Sequence, residues 1–215
     1  MKSDLTPFIK STSQRLSALK KIESYRRYDP GWYLYRQLLK KKRLNDKLSK
    51  EGVELIYVTL CAWNMNSRGA KLADLPEFYK SIIRNKIYIT PVETIKLSSI
   101  TRNEFDQILK NELKEFFFNA ELVATNKPRI ITYSKALHFL LPNLIVPIDR
   151  KYTLQYFYHT AGVPKSIDRQ YQKFCDIQQE FRRFSQAVDL SEFIEPVFNP
   201  NIPKLIDNMI IGSNK

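Results

Sequence analysis

Glycine occupies only five of 215 positions, while leucine, lysine, glutamate, glutamine and arginine recur along the whole chain. Tight turns, left-handed caps and phosphate-cradling loops all draw on glycine, so a fold of many hairpins lacks its raw material. The abundant residues are good helix formers, and an all-α fold is expected. GxxxxGK[ST], GxGxxG and GxSxG are absent, which removes the P-loop, dinucleotide-binding and α/β-hydrolase signals. With 43% hydrophobic residues the chain has enough apolar material for one large core.

Periodicity places the elements. Ser11 to Arg27 carries leucine and isoleucine at 16, 19 and 22, and Asp29-Pro30-Gly31 breaks it. Trp32 to Leu48 resumes with Trp32, Tyr35, Leu38 and Leu39 ahead of the block KKKR, so residues 1–50 read as a basic helical hairpin. Val53 to Trp63, the most hydrophobic run, reads as a central buried helix. It falls short of the roughly 20 apolar residues that a membrane crossing requires. Leu75 to Arg84 is helical with Pro76 in its first turn. KIYITPVETI alternates and is β-branched, which suggests a short extended piece near 87–92.

Ile100 to Asn119 reads as one helix, opened by a Thr101/Glu104 capping box with Ile100 stapled onto Phe105. Thr132 to Leu141 is a short helix ended by Pro142, and Asp149 is placed as the N-cap of a helix running to about Tyr158. Ser166 to Val188 is long and amphipathic, and IPKLIDNMII suits a docking helix. No repeat or linker divides the chain. It reads as a single helical domain with a core over 51–188 and a C-terminal docking segment over 189–215.

Net charge is +13, and residues 1–50 hold 14 Lys or Arg against 4 Asp or Glu. A basic face of this kind attracts polyanions, and nucleic acid is the commonest inside cells. Arg26, Arg27, Arg36, Lys40, Lys41, Lys42 and Arg43 are the candidate phosphate contacts in this quarter. Arg68, Lys127, Arg129, Arg150 and Lys151 extend the set. YRRYDPGWYLYR interleaves arginines with tyrosines and a tryptophan, a mixture that suits stacking on unpaired bases and equally suits a helical core stripe. An acidic membrane surface or an acidic protein partner answers the same charge, and a lysine-rich proteome produces it with no partner at all. With no apolar N-terminal segment and two scattered cysteines, Cys61 and Cys175, the chain reads as intracellular with no membrane partner. His138 and His159 stand apart from the cysteines, so neither a metal nor any other cofactor is expected.

Two stretches concentrate reactive groups. In SKALHFLLPNLIVPIDRKYTLQYF, Lys135 precedes an apolar run and Asp149 follows it. If Thr132 caps the helix, Lys135 lies in its first turn, where the positive helix end and partial burial disfavour an ammonium. Such a lysine is a better nucleophile, and a nearby carboxylate handles protons or stabilises positive charge. Capping by the aspartate and snorkelling by the lysine account for the same pattern. In TLCAWNMNSRGAKL, Trp63, Asn64, Asn66 and Arg68 crowd together after the apolar helix. They can line a pocket, His138 included, or end the helix with left-handed residues, and His138 equally reads as a core or edge residue.

The Lys135 to Asp149 stretch resembles the back half of the helix-hairpin-helix DNA glycosylase motif, in the divergent 8-oxoguanine glycosylase-like branch, over about residues 100–160. The resemblance implies a glycosylase-like helical fold, with Lys135 in the place of the Schiff-base lysine and Asp149 in that of the catalytic aspartate. It implies DNA as the partner and excision of a damaged base extruded from the helix. A non-catalytic nucleic-acid-binding or protein-interaction module of the same fold is the alternative.

Overall fold

The computed structural model describes residues 1–26, 29–66, 71–125 and 127–214, the side chains of 24–26 excepted. In chain order the helices are α1 (Thr6–Lys10), α2 (Thr12–Arg26), α3 (Pro30–Lys40), α4 (Leu44–Leu48), α5 (Lys50–Ala62), α6 (Leu75–Arg84) and α7 (Lys86–Ile89). They continue as α8 (Arg102–Lys110), α9 (Glu112–Asn119), α10 (Ile130–Leu140), α11 (Gln155–Tyr158), α12 (Ile167–Ala187) and α13 (Ile202–Ser213). Short 3₁₀ turns occupy Thr90–Val92 and Ser191–Phe193, and a π-helical turn, Arg150–Leu154, leads into α11. No strand forms among the described residues, where β-pairing is limited to the bridges Leu72–Val123 and Glu195–Asn199. The fold is all-α, and no described helix is long and apolar enough to cross a membrane.

Side-chain caps set several of the helix starts. Thr101 and Glu104 form the reciprocal capping box of α8, and Ser49 and Ser166 cap α5 and α12 through their hydroxyls. Asp29 accepts the Gly31 N–H at 2.8 Å ahead of α3, whose first residue is Pro30. Asn201 caps α13 by accepting the Lys204 N–H at 2.8 Å.

Four expectations are corrected. The 87–92 segment is helical, because Ile89 and Val92 are buried three residues apart while Ile87 points outward at 62% exposure; that is helical spacing, and the alternation in sequence was misleading. Residues 100–119 form two helices, broken where Asn111 adopts φ −112°, ψ −92°. The second basic helix likewise stops at Lys40 and restarts at Leu44. The N-terminal basic helices do not lie along one another, since α2 packs chiefly on α13 and α3 on α5.

The central helix is α10, and α5 is only half buried: Val53, Ile56 and Leu60 face inward while Val58 is 49% exposed. Every residue of α10 from Ile130 to Leu140 is buried, although five carry polar side chains. Each polar group finds a partner on another element or within the helix, as burial requires. Tyr133 donates to the Ala120 carbonyl and accepts the Leu122 N–H. Ser134 donates to the Ile131 carbonyl and accepts the Ile148 N–H at 3.0 Å, while the Thr132 hydroxyl meets the Met65 sulfur at 3.7 Å. The remaining two, Lys135 and His138, belong to the candidate site.

Three glycines sit inside helices at close approaches. A Cβ on Gly212 would overlap the Ala18 carbonyl oxygen of α2, and one on Gly52 would overlap the carbonyl oxygens of Asp46 and Lys47. On Gly31 it would lie 2.6 Å from the Trp63 ring. This chain spends scarce glycine on helix contact.

Candidate functional site

The route from α10 to the next helix fixes the acid beneath the amine. After α10, the Gln178 side chain of α12 clamps Val146, donating to its carbonyl at 2.7 Å and accepting its N–H at 3.2 Å. Ser134 holds Ile148, and Asp149 then opens the π-helical turn, in which the Leu154 N–H bonds back to the Asp149 carbonyl at 2.9 Å. Asp149 Oδ1 accepts the Lys151 N–H at 2.8 Å, leaving Oδ2 for Lys135 Nζ at 3.2 Å. Sequence expectation and structure agree on this cap and this meeting.

Thr132 does not cap α10, however. The helix starts at Ile130, so Lys135 lies in its second turn, beyond the strongest reach of the helix end. What holds its ammonium is Asp149, with the Trp63 ring 5.6 Å away. Burial opposes ionisation of Asp149, but the Lys135 ammonium and the Lys151 and Tyr152 N–H groups outweigh it and hold the carboxyl below its ordinary range. The lysine side chain is only 7% exposed and the aspartate 28%, so solvent reaches the pair from the acid side.

A second amine approaches Trp63. Lys204 Nζ lies 5.0 Å from that ring and 5.9 Å from Trp32, and it pairs with Asp207 one turn along α13. Around these groups Tyr35, Trp63 and Phe139 pack edge-on or tilted, and Trp32 stacks on Phe198. His138 is wholly buried here, a core position rather than a lining residue of a pocket. Its Nδ1–H donates to the Ile145 carbonyl at 2.6 Å, so Nε2 accepts the Tyr35 hydroxyl at 2.7 Å. Asn201 in turn donates to the Tyr35 oxygen at 3.2 Å. Burial, assisted by the charges of Lys204 and Lys47, pushes the His138 pKa down to about 3, so the ring is a neutral brace.

The basic residues divide by location. Arg36, Lys40, Lys41 and Lys42 line one groove of about 1010 Å³, which runs between the α3–α4 segment on one side and residues 142–143 and 194–201 on the other. Lys47 joins them, donating to the Leu140 carbonyl at 3.0 Å. Burial lowers its pKa to about 8, against the pull of the Glu93 carboxylate, so it is still mostly charged at neutral pH. Arg43 is exposed at the start of α4.

Lys127 and Arg129 line a different cavity, with Asp74, Glu77 and Glu121 on its wall. Arg129 is already engaged by the Phe117 and Phe118 carbonyls, each at 2.8 Å. Arg150 donates to the Ala161 carbonyl at 3.0 Å, and Lys151 rests over Tyr152. Asn64 takes the left-handed conformation, φ 62°, that ends α5, and Asn66 accepts the Leu72 N–H at 3.3 Å. The Arg26 side chain, Arg27 and Arg68 lie outside the described residues.

Sequence reasoning missed Lys47, Lys204 and Asp207. The signal for the last two was a charged pair three apart within the apolar tail IPKLIDNMII, the same kind of signal that singled out Lys135. No family model matches the chain, and no curated protein or solved structure matches it either.

Proposed function

We propose that the chain binds nucleic acid, DNA foremost, in the groove bounded by α3 and α4. The observation that carries this reading is the concentration of Arg36, Lys40, Lys41 and Lys42 in one concavity, with the buried Lys47 behind them and no carboxylate among the described residues that line it. Cations so placed release counterions from a phosphate backbone when it binds. Affinity is expected to fall steeply with salt. Reversing two charges, Lys41→Glu with Lys42→Glu, should weaken binding and make the log–log salt slope shallower by about 2. Fluorescence anisotropy with labelled oligonucleotides measures both. No binding of single or double strands at low salt would overturn the reading, as would indifference to the charge reversal.

A second reading, base excision, is favoured by the 3.2 Å meeting of Lys135 Nζ with Asp149 Oδ2. Asp149 takes a proton from Lys135, the freed amine bonds to C1′ of an extruded nucleotide, and the base departs with the electrons of its glycosidic bond and receives that proton. Asp149 then takes a second proton from the nitrogen, whose lone pair breaks the C1′–O4′ bond, and passes it to O4′, leaving a protonated Schiff base at C1′. Borohydride reduces the resulting Schiff base to a stable amine. The expected result is a covalent adduct with damaged duplex DNA that Lys135→Gln abolishes. Absence of adduct with every lesion tested would leave the pair a structural brace, the role its burial already supports.

A further inference from the structure

The two walls of the basic groove differ in kind. All five cations come from one side, Arg36 and Lys40 of α3, the Lys41–Lys42 linker and Lys47 of α4. The facing wall, built from Pro142, Asn143, Ile194, Pro196, Pro200 and Asn201, carries no charged side chain. A duplex presents phosphates along both edges and hides its base faces in the stack, so an uncharged wall of prolines opposite the cations gives it nothing to bind. An unpaired strand has the matching asymmetry, with phosphates along one side and apolar base faces with polar edges along the other.

Resting on the nucleic-acid reading above, we propose that this groove is a site for single-stranded nucleic acid. The backbone lies on the α3–α4 wall and the bases lie against Pro142, Ile194 and Pro196. The exposed Asn143 on that wall supplies an amide for base edges. The wall is rigidly supported: the Asn143 carbonyl accepts the Leu97 N–H at 2.9 Å, and Asn201 is tied to Tyr35 at 3.2 Å. Ordering a strand here therefore costs little rearrangement of the protein.

The test compares labelled dT12 and rU12 with a duplex of the same length and with inorganic polyphosphate, all at low salt and with the full chain. Either single strand is expected to bind roughly tenfold or more tightly than duplex or polyphosphate, the factor that one stacked base supplies. Ile194→Glu, at a position 37% exposed, should remove most of that preference while leaving the circular dichroism spectrum unchanged. Equal or tighter binding of duplex would overturn the single-strand inference and leave nucleic-acid binding standing. Equal binding of polyphosphate would show that charge alone is read. Failure of every oligonucleotide to bind would remove both proposals together.

Discussion

Asp207→Ala is expected to lower the free energy of unfolding by about 3–5 kcal/mol, the loss that follows when one member of a buried ion pair is deleted. The Lys204 side chain is 1% exposed and that of Asp207 5%, so neither can turn to water without opening α13. The substitution takes the Asp207 carboxylate away from a buried ammonium beside Trp32 and Trp63. Urea titration followed by circular dichroism should show the midpoint fall with the slope unchanged. The double variant Lys204→Met with Asp207→Leu should recover most of the loss, because an apolar pair of similar volume avoids desolvating two charges. A loss below about 1 kcal/mol for Asp207→Ala would mean that the pair behaves as a surface one.

Gly212→Ala should cost about 2–3 kcal/mol despite improving helix propensity by nearly 1 kcal/mol. The new methyl would meet the Ala18 carbonyl group, whose carbon lies 2.7 Å from the added atom, and backbone cannot swing aside as a side chain can. The α2–α13 contact is the most extensive between helices among the described residues, so the two must separate along their length. Gly162→Ala is the internal comparison. Its nearest neighbour is the Thr160 hydroxyl at 3.2 Å, and the change should fall within about 0.5 kcal/mol. Thermal unfolding of the two variants side by side checks the prediction, which fails if they behave alike.

Local rules that act within a few residues could be read from the sequence. The Thr101/Glu104 box, the Asp149 cap and the stripe of α12 depend on neighbours close in the chain; the first two stand where spacing put them, and the stripe is buried from Tyr171 to Phe184 while Ile167 at its start is 37% exposed. Features decided by distant partners could not. Nothing near Ile87 says that Ile89 and Val92 will share a buried face, and nothing near Leu19 says that α2 will lie on α13. The site divides the same way. That Lys135 and Asp149 frame an apolar run was visible, and they do meet. That His138 would be enclosed, or that Lys204 would approach the same indole as Lys135, depends on how α3, α5, α10 and α13 converge. Arg36 and Lys40 to Lys42 stand out by charge density alone, but the uncharged wall facing them is assembled from segments a hundred residues or more away.

The pairing of α2 with α13 also bears on how the chain emerges from the ribosome. α13 follows α2 by more than 170 residues, so the buried face of α2, Ala18, Leu19 and Ile22, lacks its main packing partner until α13 has been synthesised. Until then a lysine-bearing helix with an apolar patch stands beside polyanionic ribosomal RNA, and its docking on α13 is a step of high contact order. Slowing synthesis anywhere between α2 and α13 would lengthen that vulnerable interval.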